Sequence, residues 1–312
     1  MTIAPEPVLD PALAYPPVGA AQAGLRAADW PAVQAAFSGA SSAYERHLIV
    51  TAAGALESSE DFLEAVVQRD RSDVLAATLL AAREVRIGWT LRGSGRGETV
   101  DAGMARGFRG HLARAEQLLI EACARDPRFV AAWGVRLITA RGLELGPGET
   151  RRRYDRLNRH SPNDLSAQSA LLQALVPKWG GTWETAHSFA WSCTTEAPPG
   201  APNGCVVVGY HLERWLEDKR IAREVFADPQ VRQEIWTAGE ASVMNPAFTG
   251  APGWVVALSQ FALAYSLMGD WPRARHCFTR LGRFASRSGW EYFDTDVAKV
   301  FNTQREEAMR QG

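Results

Sequence analysis

Apolar residues recur along this chain at spacings of three and four. Leu258, Phe261, Ala262 and Tyr265 stand at i, i+3, i+4 and i+7, and Ala274, Cys277, Phe278 and Leu281 repeat the interval. Upstream, Val74, Ala77, Thr78, Ala81 and Val85 form one such stripe, and Leu112, Ala115, Leu118, Leu119 and Cys123 form another. That interval places one apolar face along an α-helix. Residues 206–216 and 229–240 read as further helices, and 244–253 (MNPAFTGAPG) as loop. No segment alternates apolar and polar residues between turn signals, so a sheet is not expected. The pattern predicts an all-α fold.

The helices come in related pairs. Asp29-Trp30-Pro31 and Asp270-Trp271-Pro272 each lead into a small apolar residue at the fifth place, another at the eighth and phenylalanine at the ninth, Phe37 and Phe278. Thr182-Trp183 to Ala186 repeats the tryptophan–alanine spacing. Each is a turn that opens a helix: Asp or Thr caps the first amides, and a following proline sits where an N–H has no partner to lose. The helix-ending prolines Pro127, Pro162 and Pro198 lie 35 and 36 residues apart. Two further hairpins fit between them, the first through Trp133, Leu137 and Ala140, turning at Gly146-Pro147-Gly148, the second turning at 177–181. Residues 258–281 resemble a tetratricopeptide repeat, with Ala262 and Tyr265 on the first helix, Gly269 and Trp271 at the turn, and Ala274 and Phe278 on the second. The resemblance implies an α-solenoid of antiparallel helix pairs, or such pairs closed into a compact helical domain, with Trp30, Trp183 and Trp271 plugging helix junctions. Stacked repeats form concave surfaces, so it also implies a binding or scaffold protein for a peptide or protein partner.

Around this array the less regular stretches set the expected domain plan. Residues 1–23, with Pro5, Pro7, Pro11, Pro16 and Pro17 and no lysine or arginine, read as a flexible tail that lacks a secretory signal. Residues 24–312 then form one helical-repeat domain, with an insertion at 92–107 and an irregular segment at 198–253. The run Gly93-Ser94-Gly95-Arg96-Gly97 within the insertion has neither a preceding strand nor a Gly-Lys-Ser/Thr ending, so it reads as a loop and not a phosphate cradle.

Composition narrows the chemistry only modestly. A net charge of -1 over 312 residues gives no bulk attraction for nucleic acid. No apolar run approaches the roughly 20 residues of a membrane span, and a cytoplasmic protein is expected. Cys123, Cys193, Cys205 and Cys277 show no CxxC spacing, although the Pro/Gly loop between Cys193 and Cys205 would let those two approach. His47, His111, His160, His187, His211 and His276 form no HExxH or i, i+4 pair, so neither a metal nor another cofactor is expected. His211 and Glu213 point to different sides of a helix and do not make an acid–base pair. No catalytic residue is assigned.

Two groups of residues are the candidates for binding. Arg152, Arg156 and Arg159 share one helical face and form a positive stripe suited to an acidic peptide. Of eleven tryptophans, Trp179, Trp215 and Trp236 have no repeat role and are candidates for a ligand-facing surface. Two other classes stay open: an enzyme or small-molecule binder with a pocket near residues 92–107 or 198–204, and a regulator that docks on nucleic acid through the arginines.

Overall fold

The computed structural model describes residues 6–93, 101–218, 220–250 and 252–312. Among them the protein is all-helical, 74% helix with no strand. The helices run α1 (Pro11–Ala14), α2 (Pro16–Arg26), α3 (Trp30–Ser38), α4 (Ala43–Ala55), α5 (Glu60–Arg69), α6 (Val74–Arg92), α7 (Ala102–Arg125), α8 (Val130–Gly142) and α9 (Gly146–Asn158). They continue through α10 (Leu165–Leu175), α11 (Trp183–Thr195), α12 (Cys205–Glu217), α13 (Ala222–Phe226), α14 (Pro229–Ala241), α15 (Trp254–Met268), α16 (Trp271–Leu281) and α17 (Val297–Gln311).

The described residues divide into two compact units. One comprises residues 15–174 with 178–181; the other comprises 6–14, 175–177 and the described residues from 182 onward. In the first, α6 packs on α4, α5 and α7, and α7 passes the contact on to the hairpin of α8 and α9. In the second, α12 lies against α11, α14 and α15, and α15 and α16 form a hairpin that receives α17.

The expected tail is corrected from its eighth residue onward. Val8 N donates to Arg283 O at 2.7 Å and Ala285 N donates to Val8 O at 2.9 Å, a short bridge within the second unit. Pro16 and Pro17 open α2, where a fixed φ and a missing N–H cost nothing, and Val18, Ala21 and Leu25 are buried. Proline density was a helix start, not disorder. The insertion is shorter than expected, since α7 begins at Ala102; residues 94–100 lie outside the described chain.

The caps form as the sequence predicts. Asp29, Thr182 and Asp270 accept from the amides of Ala32, Thr185 and Arg273. Gly269 closes α15 at φ +69, a left-handed turn that only glycine adopts freely, and the next residue caps α16. Ala262, Ala274, Tyr265 and Phe278 are buried in that hairpin, and Phe37 and Ala186 are buried in theirs. The turn tryptophans are a difference: Trp30, Trp183 and Trp271 are half-buried rather than enclosed. Trp30 reaches outward to a neighbouring helix, donating its indole N–H to Asp73 Oδ2 at 2.9 Å. The fully enclosed ring is Trp290, whose N–H donates to Ser259 O at 3.1 Å.

Candidate functional site

Side chains of α11, α12 and α14 line a cleft of about 340 Å³ in the second unit. α11 contributes Trp183 and His187 one helical turn apart, α12 contributes Tyr210, His211 and Arg214, and α14 contributes Gln230 and Glu234. The i, i+4 rule puts each helix's contributors on one face. The burial pattern of α12 turns His211 inward, 5% exposed, while His187 remains half-buried at the cleft wall.

Glu234 is the hub. Its Oε2 lies 3.0 Å from His211 Nε2 and 2.9 Å from His187 Nε2, and its Oε1 accepts from Gln230 Nε2 at 3.2 Å. The His211 hydrogen bond, against the opposing effect of burial, holds the Glu234 carboxyl down to about 2, so it is ionised at neutral pH. An ionised oxygen requires N–H donors. His187 Nε2 also lies 3.1 Å from Trp191 Nε1, but an indole N–H and an imidazole N–H repel along that line. The charged Glu234 oxygen therefore fixes the Nε2–H tautomer of His187 and leaves Nδ1 as the ring's acceptor.

Aromatic rings wall the rest of the cleft. Tyr210 lies 5.0 Å from His187 and 6.0 Å from Trp183 between ring centroids. The Arg214 guanidinium sits 5.3 Å over the Trp183 ring, and burial raises the pKa of the neighbouring Tyr210 phenol. Three of the carboxylates around it are engaged elsewhere: Asp218 pairs with Arg220 at 2.9 Å, Asp228 accepts from the first amides of α14, and Glu234 holds the histidines. Glu184 is held low first by its own backbone N–H, with the Arg214 charge adding to this through space. Arg214 thus forms no ion pair among the described residues and keeps donors for a carboxylate from outside.

The residues singled out from sequence lie elsewhere. Arg152 is clamped by Glu149 through two contacts of 2.7 Å, Arg156 stacks 5.4 Å over Trp133, and Arg159 follows the last residue of α9. The intervening Arg153, not singled out, is 3% exposed. It donates to Glu116 at 2.9 Å through both NH1 and NH2 and to Glu149 Oε1 at 2.7 Å through Nε. Arg136 donates to the same Glu116 at 2.7 Å, and the Thr139 hydroxyl donates to Glu116 Oε2 at 2.6 Å, closing a buried ionic cluster. Trp179 meets Trp89 edge-on at 6.2 Å with Arg141 over both rings. Trp215 stacks on Phe293 at 4.8 Å, and Trp236 lies between Arg232 and Arg273 and donates to Asp270 Oδ2 at 2.8 Å. Each of the three is occupied by an aromatic, cationic or acidic neighbour of its own unit. Within the 198–204 loop, Pro202, Asn203 and Gly204 are buried, and a Cβ on Gly204 would meet Ala238 O.

The four cysteines are buried. Burial pushes the Cys205 thiol up to about 12 and raises Cys123 and Cys277 as well, so they stay protonated and inert as nucleophiles. Burial lowers His47 against the attraction of Asp164. No group of three or more His, Cys, Asp or Glu among the described residues is placed to hold a metal ion. No helix among them is long and apolar enough to cross a membrane. No protein-family model matches the chain, and no curated protein matches it.

Proposed function

We propose that this is a tetratricopeptide-like binding protein whose cleft between α11, α12 and α14 receives a carboxylate-bearing peptide segment of a partner. The observation that carries the reading is Arg214, which lies on the Trp183 ring beside Tyr210 and forms no ion pair among the described residues. A guanidinium so flanked offers paired donors to a carboxylate while the aromatic faces take the attached apolar atoms. His187 Nδ1 adds an acceptor for a peptide N–H. A volume of about 340 Å³ suits one or two side chains and lies at the small end of ligand pockets. Binding is favoured over covalent catalysis because the described lining residues include no serine, threonine, cysteine or lysine nucleophile.

The test is calorimetry with short peptides that end in free aspartate or glutamate, compared with their amidated, uncharged counterparts. Acidic peptides should bind, and Arg214→Gln should weaken them about tenfold or more, the scale of a lost charge-assisted pair. Equal affinity for acidic and neutral peptides, or an unchanged affinity in Arg214→Gln, would overturn the reading.

A further inference from the structure

The other unit holds a second cavity, about 420 Å³, where α4, the start of α8 and the turn after α9 converge. Three basic side chains reach it from these separate segments: Arg46, Arg128 and His160. None of the three forms an ion pair among the described residues. Arg46 lies 5.9 Å over the Phe37 ring and donates to Ala40 O at 3.3 Å. The one acid in the wall, Asp126, turns Oδ1 to the Arg128 backbone N–H at 2.9 Å. Two guanidiniums without a carboxylate partner on one concavity favour an anion there. Ser38 and Ser161 also line the cavity, and its apolar side is Phe129, stacked on Phe37 at 5.5 Å, continuing into Val130 and Ala131 at the first turn of α8. That turn has no acidic residue and no side-chain cap to repel an anion.

We propose that this cavity binds a phosphomonoester carried on a flat apolar group, with the phosphate between Arg46, Arg128 and His160 and its carrier against Phe129. Arginine forks match phosphate oxygens in pairs, and a phosphomonoester near neutral pH brings the charge that two guanidiniums can offset, with the His160 ring beside them as a hydrogen-bonding group. A bare anion would leave the apolar half of the cavity unused. The inference stands apart from the cleft on α11, α12 and α14, and neither depends on the other.

The experiment is titration calorimetry of the full chain with phenyl phosphate and, separately, with inorganic phosphate. Phenyl phosphate should bind at submillimolar concentration and inorganic phosphate at least about tenfold more weakly. Arg128→Gln alone should cost about tenfold, and with Arg46→Gln about a hundredfold, with affinity falling as salt rises. Arg128 is exposed, so its single variant keeps the test valid even if the double variant folds poorly. Absence of phenyl phosphate binding up to about 10 mM, equal affinity for the two anions, or unchanged affinity in Arg128→Gln would overturn the proposal.

Discussion

Two glutamates in this protein do opposite things with the same chemistry. Glu116 and Glu234 each collect several N–H donors, but Glu116 sits in a buried cluster with Arg136 and Arg153, whereas Glu234 gathers two histidines and a glutamine at the wall of an open cleft. Arginines that cannot discharge make the first a fixed structural joint. Single imidazole contacts, one of them from a half-buried ring at the cleft wall, make the second a more open one. What separates architecture from site is the solvent access and the donor geometry of the partners, not the number of hydrogen bonds.

The largest effect should come from the buried joint. Glu116→Ala leaves Arg136 an unpaired buried cation and Arg153 with Glu149 as its one remaining carboxylate, and should cost about 3–5 kcal/mol in chemical denaturation, with peptide binding at the cleft unchanged in the protein that remains folded. A loss below about 1 kcal/mol would erase the contrast. Next comes the packing that seats α14, the helix that carries Glu234. A Cβ on Gly239 would lie 2.0 Å from the Tyr265 hydroxyl, itself buried without a hydrogen-bond partner. Gly239→Ala should therefore cost about 1–3 kcal/mol, and Tyr265→Phe should restore most of it, because the next ring atom is 3.3 Å away. If the double variant is no more stable than Gly239→Ala alone, the clash is not with the hydroxyl.

Acid titration sharpens the comparison at smaller amplitude. Glu234 is held down to about 2 chiefly by His211, and Glu149, beside the buried cluster, down to about 2 chiefly by Arg152. Each has a native pKa below its unfolded one, so its contribution is complete above about pH 4.5 and is lost as pH falls toward 2. Glu234→Gln and Glu149→Gln should each remove up to about one proton from the uptake on unfolding across that window. A variant whose acid limb superimposes on that of the wild type would show its carboxylate to be unperturbed. The smallest effect belongs to the exposed arginines. Replacing Arg152, Arg156 and Arg159 together by glutamine should change stability by about 1 kcal/mol or less and leave binding at the cleft intact; loss of peptide binding would move the site to α9.

The sequence disclosed the helices and their caps because those depend on neighbours within a few residues: Asp29, Thr182 and Asp270 cap where they were expected, and residues 258–281 form the expected hairpin. The cleft was not legible, because Glu234 lies 47 residues from His187 and 23 from His211. Taken singly, each histidine is an ordinary helical residue, and the only hint was His187 and Trp183 sharing a turn of α11. The arginine stripe misled in a different way. Spacing alone marked Arg152 and Arg156 as partners, yet Arg153, one step round the helix, is the residue that enters the core. The tail misled because proline density was read without asking where in a helix each proline stands.

Tryptophan reaches to a distant helix cap twice in this chain: Trp30 to Asp73 and Trp236 to Asp270. In both, one carboxylate oxygen receives the indole while the other receives an amide in the first turn of the capped helix, at Ala76 and Arg273. The start of α16 is therefore complete only while α14 is docked against it, and the start of α6 only while α3 is in place. Amide hydrogen exchange should register this as shared opening: the first-turn amides of α16 should exchange in step with α14, and those of α6 with α3, each pair behaving as one cooperative unit across 34 or 43 residues of sequence.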